Sequence, residues 1–502
     1  MKSRTAIRAI AAVSLCVAGA WLALPNPYRQ TTAVFDAAGC RLETSILQKP
    51  NTEPLAAVVL FHGLSANKKL MAYIGRGFAE WNLRVYAPDL PGHGRTDGPF
   101  SPARAEQCSE ALLRELLVRG LILPNRTILA GHSMGGTLAV HLASHTPLAG
   151  VIMISPAPMR PSHGVPPEAL LYTMPPALPP NTLILSGRLE PEAIRSNAQE
   201  LLSWQGAGPA KHVVIPWATH VTLLFNRAAV RVCQEWVART LNLHGDVAPP
   251  SRRMLLGFFM GFCGLLLMAS PFLCEVTGKS KITRPTNVTL AVGLGWFLCE
   301  IAIASIASVV VLQLWIPLRV LHLFEGDYLA SFVLFVGVAL LLVHWKALVP
   351  ALNAKLAPLL QAACAALVLL LLFTAWFDLT FSEVWITAAR WARFPLLFVA
   401  LLPFHILEET WLGSTGARAS WRRLTIALSF RLLMWMALVG GIVFLHSGEI
   451  LLLLLVPYMA LFSVLQRRGM DVVRKATGSA AASAIFGAIL LAGLCLVIFP
   501  IA

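Results

Sequence analysis

Apolar positions fall into three regimes along the chain. Met1–Arg8 is a basic stretch, Ala9–Leu24 is an apolar run, and Pro25-Asn26-Pro27 closes it. This predicts a secretory signal or an uncleaved signal anchor, with the anchor favoured; Ala18-Gly19-Ala20 resembles a small-residue cleavage site. From residue 30 to 245, short apolar runs rich in β-branched residues alternate with helical stretches. Ala56–Phe61, Arg84–Pro88, Thr127–Ala130, Val151–Ile154, Leu183–Leu185 and His212–Ile215 read as strands, and 69–81, 102–119 and 222–241 as helices. Strands alternating with helices predict an α/β domain with a mostly parallel sheet and helices on both faces. From Met254 onward the apolar runs lengthen. Eight stretches, 254–275, 286–316, 328–345, 356–377, 394–412, 424–445, 449–465 and 479–500, are each near the roughly 20 residues that span a bilayer. Residues 384–393 read as an interfacial amphipathic helix. The organisation expected is therefore an anchor over 1–29, an α/β domain over 30–245, a linker over 246–253 and an all-α transmembrane bundle over 254–502.

Composition agrees with this division. The 502 residues are 57% hydrophobic and 13% charged, against about 25% charged in an average soluble domain. With a mean hydropathy of +0.68, an ordinary soluble enzyme and a disordered chain are both excluded. The net charge of +15 raises the question of an anionic partner. Its distribution answers it: +4 in residues 1–29, +3 in 30–250 and +8 in 251–502. No basic stripe with interleaved aromatics marks the polar domain, so no nucleic-acid partner is expected. The excess instead sits between the spans. Segments 278–285, 346–355, 413–423 and 466–475 carry twelve Lys and Arg, whereas 317–327, 378–383 and 446–449 carry one, Arg319. The positive-inside bias puts the first set in the cytoplasm. The basic N-terminus independently puts residues 30–250 outside. Arg252 and Arg253 are the exception, basic on the outer face. The expected location is a bacterial inner membrane, multi-pass, with the N-terminus cytoplasmic and the polar domain periplasmic.

The polar domain carries a motif with chemistry. Gly131-His132-Ser133-Met134-Gly135 is G-x-S-x-G directly after an apolar strand and before a helix, the setting of a nucleophile elbow. His62-Gly63 ends an earlier strand, and Asp89-Leu90-Pro91-Gly92-His93-Gly94-Arg95 follows the next one. In their order and setting these residues resemble the α/β-hydrolase superfamily. The resemblance covers about 215 residues. It implies Ser133 as nucleophile, with the amides of Leu64 and Met134 as the oxyanion hole. Two such preorganised donors are worth roughly 3 kcal/mol each to the transition state. Asp89 is structural by the same resemblance. The acid is expected after a later strand, where Ser186-Gly187-Arg188-Leu189-Glu190 offers Glu190, with Glu192 as the nearby alternative. The base is expected after the last strand, where His220 stands. The chain order Ser133, Glu190, His220 is the one the fold requires, and it implies an acyl-enzyme route.

The remaining polar features add less. His141, His145, His163, His212 and His244 read as structural or surface groups. No His/Cys/Asp cluster has metal spacing, so neither a metal nor a cofactor is expected. Cys40, Cys108 and Cys233 lie in the polar domain and allow at most one bridge, in any of three pairings. Pro156–Pro180 holds nine prolines with Leu170, Leu171, Tyr172 and Met174; it reads as a short stiff lid suited to acyl chains, or as a plain loop. Ionisable residues inside spans are functional candidates by default. Here they are Glu300, near the middle of its span, and Glu408 and Glu409, with Arg431 at similar depth as their partner. The Glu pair is faintly similar to intramembrane CAAX-protease-like families, but Gly413 and Ser414 stand where an Arg should follow. The sequence thus points to a membrane-bound serine hydrolase of esters or thioesters. Its expected partners are the bilayer and a small-molecule, acyl or lipid substrate. A transporter or scaffold carrying a hydrolase-like domain, or a serine peptidase of the same fold, is the alternative.

Overall fold

The computed structural model describes residues 2–502 other than 97, 162–164, 166, 168–169, 204–208, 279–292, 353 and 415–419. The chain forms two compact units. One comprises Trp21–Gly257 with Phe377–Val384 and Pro500–Ala502; the other comprises Met1–Ala20, Phe258–Trp376 and Trp385–Phe499. Two short segments from the apolar half of the sequence thus belong to the polar unit, a membership that the boundaries expected at 245 and 254 do not include.

The polar unit is built on an eight-stranded sheet. The strands are β1 (Arg29–Ala37), β2 (Cys40–Gln48), β3 (Ala56–Phe61), β4 (Leu83–Pro88), β5 (Thr127–His132), β6 (Gly150–Ile154), β7 (Thr182–Gly187) and β8 (Ala210–Ile215). Their order is β1-β2-β4-β3-β5-β6-β7-β8. β1 pairs β2, and β2 pairs β4, antiparallel; every later pairing is parallel. The β1–β2 hairpin was not among the expected strands. Its first strand is exposed at most positions, so burial imposes no apolar run on it. Its turn, Ala38-Gly39, has φ of 51° and 74°, the two positive values a tight hairpin turn uses. The central strands are buried at every position, as parallel strands covered on both faces must be.

Helices α2 (Ala72–Glu80), α3 (Pro102–Val118), α4 (Met134–His145), α5 (Glu192–Ser203) and α6 (Arg227–Leu241) pack on the sheet, after the N-terminal α1 (Lys2–Ala23). Ile74 and Phe78 of α2 and Val230 and Val237 of α6 join Val58, Leu60, Val85, Ile128 and Ile152 in one core. Ser101 caps α3, accepting from Arg104 N, and Asn226 caps α6. Cys40, the first residue of β2, is bridged to Cys108 of α3, with Cα atoms 5.3 Å apart; Cys233 is free and buried.

The apolar unit is all-α. Its helices are α7 (Arg253–Val276), α8 (Leu294–Leu312), α9 (Gly326–Leu352), α10 (Leu356–Thr380), α11 (Ala388–Trp391), α12 (Phe394–Ser414), α13 (Ser420–Phe444), α14 (Ile450–Thr477) and α15 (Ala480–Ile498). Among the described residues, eight helices are long and apolar enough to cross a membrane. Small residues allow close approach between them: a Cβ on Gly337 of α9 would fall 2.6 Å from Phe404 N of α12. Two expectations need correction. Residues 466–475 are not a loop but the last turns of α14, with Gln466, Arg467 and Asp471 buried. Residues 384–393 hold only the one-turn α11; Arg390 points inward and donates to Leu496 O and to Phe499 O at 2.8 Å. Residues 279–285 of the expected segment 278–285, and parts of 286–316 and 413–423, lie outside the described residues.

Candidate active site

The site is assembled at the carboxyl edge of the sheet, where open α/β sheets place their chemistry. Ser133 follows β5 directly and has φ 53°, ψ −120°, a region costly for a residue with a Cβ. The flanking glycines make this turn feasible. A Cβ on Gly131 would lie 2.0 Å from Gly135 O, and one on Gly135 would lie 2.4 Å from Phe61 O. Ser133 N donates to Ile154 O at 2.9 Å, which ties the elbow to β6. Met134 begins α4, so its amide is among those the helix N-terminus leaves without an intrahelical partner.

Segment 62–64 lies against this elbow: a Cβ on Gly63 would fall 3.1 Å from Ser133 Cβ and 2.9 Å from His132 Nδ1. Leu64 is the next residue. His62 holds the segment to the neighbouring loop, with Nε2 accepting from Leu90 N at 2.9 Å and Nδ1 donating to Gly63 O at 2.8 Å. Complete burial depresses the His62 imidazole to about 4, so it is neutral at physiological pH.

Glu190 lies three residues beyond Gly187, the last of β7. Its Oε2 accepts from Gly187 N at 2.8 Å, and its Oε1 is 3.3 Å from His220 Nδ1. Glu192 goes elsewhere: it pairs with Arg195 on the surface. Between Glu190 and His220 the structure places a residue that the sequence reading did not single out. Ser155 directly follows β6 with φ 48°. Its hydroxyl donates to Glu190 Oε1 and accepts from His220 Nδ1 at 2.6 Å. Its position just past a strand end, between the ends that carry Ser133 and Glu190, was the signal available. His132, inside the motif, also has a role beyond the motif. Its Nε2 donates to His220 O at 2.9 Å, fixing the backbone at His220. Burial, with His220 adjacent, holds the His132 ring near 3.

The 156–180 segment forms no α-helix among its described residues. Tyr172 is its buried anchor, donating to Pro102 O at 3.0 Å; Leu170, Leu171 and Met174 are half-buried, and His163 lies outside the described residues.

With this geometry in view, comparison with known proteins is direct. Residues 58–267 match the model of the alpha/beta hydrolase family. The chain carries an alpha/beta hydrolase family domain. The chain is similar over part of its length to several curated proteins. It is 30% identical over 105 residues to the pimeloyl-[acyl-carrier protein] methyl ester esterase of Nitrosospira multiformis, covering 20% of this chain and 38% of that one. It is 28% identical over 104 residues to esterase YjfP of Escherichia coli, covering 19% and 42%. It is 24% identical over 160 residues to a monoglyceride lipase homolog of Monkeypox virus, covering 31% and 57%. The chain spans less than two thirds of each of these relatives. Among solved structures, an esterase from Pyrobaculum calidifontis is 15% identical with a TM-score of 0.35, covering 48% of this chain and 93% of its own. Outside the alpha/beta hydrolase domain, the intramembrane candidates are also placed. Glu300 lies in the second turn of α8, bonded to His344 Nε2 at 2.8 Å and Trp296 Nε1 at 2.7 Å. Glu408 accepts from Arg431 Nε and Nη2, each at 2.9 Å. Glu409 pairs instead with the fully buried Arg467, which also reaches Asp471 at 2.8 Å.

Proposed function

We propose that this protein is a membrane-bound serine hydrolase of carboxylic esters or thioesters. Ser133 is the nucleophile, His220 the base and Glu190 the acid, and the amides of Leu64 and Met134 form the oxyanion hole. The observation that carries the reading is the hydrogen-bonded series Glu190–Ser155–His220 at the same sheet edge as the strained Ser133 elbow. In this reading Ser133 Oγ attacks the carbonyl carbon and its proton passes to His220. The carbonyl electron pair moves onto oxygen, facing the two amides. Collapse expels the alkoxide or thiolate, which takes the proton from His220. Water then repeats the sequence on the acyl-enzyme and releases the acid. Glu190 stabilises the imidazolium formed in each half. Two relatives are named as esterases, which supports carboxylic esters as the bond cleaved. The eight apolar helices support placement in a membrane, and acyl or lipid substrates suit that setting. The Cys40–Cys108 bridge supports an oxidising compartment for the polar unit, hence the outer side. A fluorophosphonate probe tests the assignment. Membranes holding the wild-type chain are expected to label, and Ser133→Ala is expected to abolish the labelled band. Absence of labelling in both sinks the enzyme reading in favour of a transporter or scaffold.

A further inference from the structure

Residues 377–384, the last turn of α10 and the start of the connection to α11, belong to the polar unit. They meet the chain just beyond the oxyanion segment. Asn67 pairs with their backbone in both directions: its Nδ2 donates to Glu383 O at 3.1 Å, and its Oδ1 accepts from Glu383 N at 3.2 Å. The same Nδ2 donates to Ser382 Oγ at 2.9 Å. Lys68 is buried, and its ammonium is surrounded by carboxylates: Glu383 at 2.6 Å, Glu43 at 3.0 Å and Asp89. The three carboxylates lie within 4.8 Å of one another, and the ammonium supplies the cation they need. Asp89 closes the arrangement by accepting from Lys68 N at 2.8 Å and Arg95 N at 3.0 Å. Arg95 in turn pairs with Asp378 at 3.0 Å, and Lys69 donates to Asp378 O. A second imported segment grips the same loop, since Ile501 donates to Gly92 O at 3.1 Å and accepts from Phe100 N at 2.6 Å.

These contacts bear on Leu64. Ala66 N donates to Gly63 O at 3.1 Å, so 63–66 is one hydrogen-bonded turn. The turn runs straight into Asn67 and Lys68, while its other end lies against Ser133. An oxyanion donor is effective only if held where charge will develop.

We infer that Glu383, with Ser382, is a positioning element of the hydrolase site, acting through Asn67 and Lys68 to hold the Leu64 amide beside Ser133. This rests on the hydrolase reading above. It assigns to a connector in the membrane half of the sequence a part in transition-state stabilisation that the alpha/beta hydrolase domain does not supply from within 58–267.

The test uses the full-length protein in detergent or nanodiscs, with a p-nitrophenyl ester as probe. Lys68→Met strands three carboxylates and risks misfolding. Glu383→Gln leaves Lys68 with Glu43 and Asp89 and is the informative variant; Asn67→Ala is its independent counterpart. Each is expected to lower kcat roughly tenfold or more, as loss of precise donor placement does, with KM changed less than about twofold. Glu383→Asp is expected to recover part of the loss. Amide exchange across 63–70 is expected to accelerate in Glu383→Gln while β6 and β7 keep their protection. Unchanged exchange in 63–70, or faster exchange with unchanged kcat, overturns the inference. A wild-type protein that neither turns over the ester nor labels at Ser133 overturns the hydrolase reading, and exchange, which needs no activity, then reports whether the clamp exists without a catalytic part.

Discussion

At the scale of single residues, the site depends on a hydroxyl that no motif announces. The direct Glu190–His220 contact is 3.3 Å, long for a hydrogen bond to a ring nitrogen, whereas Ser155 Oγ stands 2.6 Å from the same nitrogen. In the proposed triad the acid therefore acts on the base largely through Ser155. Removing that hydroxyl leaves the carboxylate in place, so its loss should be partial. Ser155→Ala is expected to lower kcat roughly 10- to 100-fold, the equivalent of one hydrogen bond to a charged group, with KM nearly unchanged. Glu190→Gln is expected to cost roughly 1,000- to 10,000-fold, as in triads deprived of their acid. Steady-state kinetics on the two variants separates these. A Ser155→Ala enzyme with wild-type kcat makes the hydroxyl a spectator. Ser133 and His220 were legible because each sits at a fixed offset from an apolar strand. Ser155 was not, because what recruits it is a positive φ just after β6, and no residue pattern records that. Lys68 was hidden for a similar reason: its partners lie 21 and 315 residues away.

At the scale of elements, apolar periodicity revealed every strand that is buried on both faces and every membrane-length helix. It missed β1, which is exposed at most positions, and β2, whose buried positions include the polar Thr44 and Ser45 and so make no apolar run. It also ended α14 too early. A helix that buries Arg467 and Asp471 against carboxylates and guanidinium groups of its neighbours looks like a solvated loop in a hydropathy pattern. The edge has a compensating device. The Cys40–Cys108 bridge fastens the first residue of β2 to α3 across 68 residues of sequence. Closing a loop of that length stabilises by about 4 kcal/mol in the chain-entropy model. The double variant Cys40→Ser/Cys108→Ser should therefore melt roughly 10 °C lower than wild type. Thermal unfolding of the purified protein, followed with and without reductant, checks this. Equal melting temperatures would mean that the bridge contributes nothing to the native protein.

At the scale of the whole molecule, the charge asymmetry becomes a narrower topological statement. Of the twelve basic residues in the expected inner segments, Arg423 and Arg467 are consumed by buried pairs with Glu409 and Asp471, so they carry no topological information. Arg474 also lies 4.0 Å from Glu409; with all three set aside, the sequence still has nine Lys and Arg in these segments against Arg319, and the expected bias keeps its sign. The outer exception also has an explanation. Arg253 stacks on Trp21 at 4.6 Å and donates to Trp21 O at 3.0 Å, and Arg252 donates to Phe225 O at 3.0 Å. Both are held by contacts within the polar unit. Topology reporters should be placed accordingly. A fusion at 470 would cut α14 and expose its buried charges, whereas Gly478, with φ 69° at the end of that helix, is a natural break. A reporter active only outside the cytoplasm is expected to score after Pro250 and to be silent after Gly478. The reverse pattern, or a silent fusion at 250, would place the nucleophile and the disulfide in a reducing compartment. It would defeat the outer-face assignment while leaving the chemistry of Ser133 open to its own test with the fluorophosphonate probe.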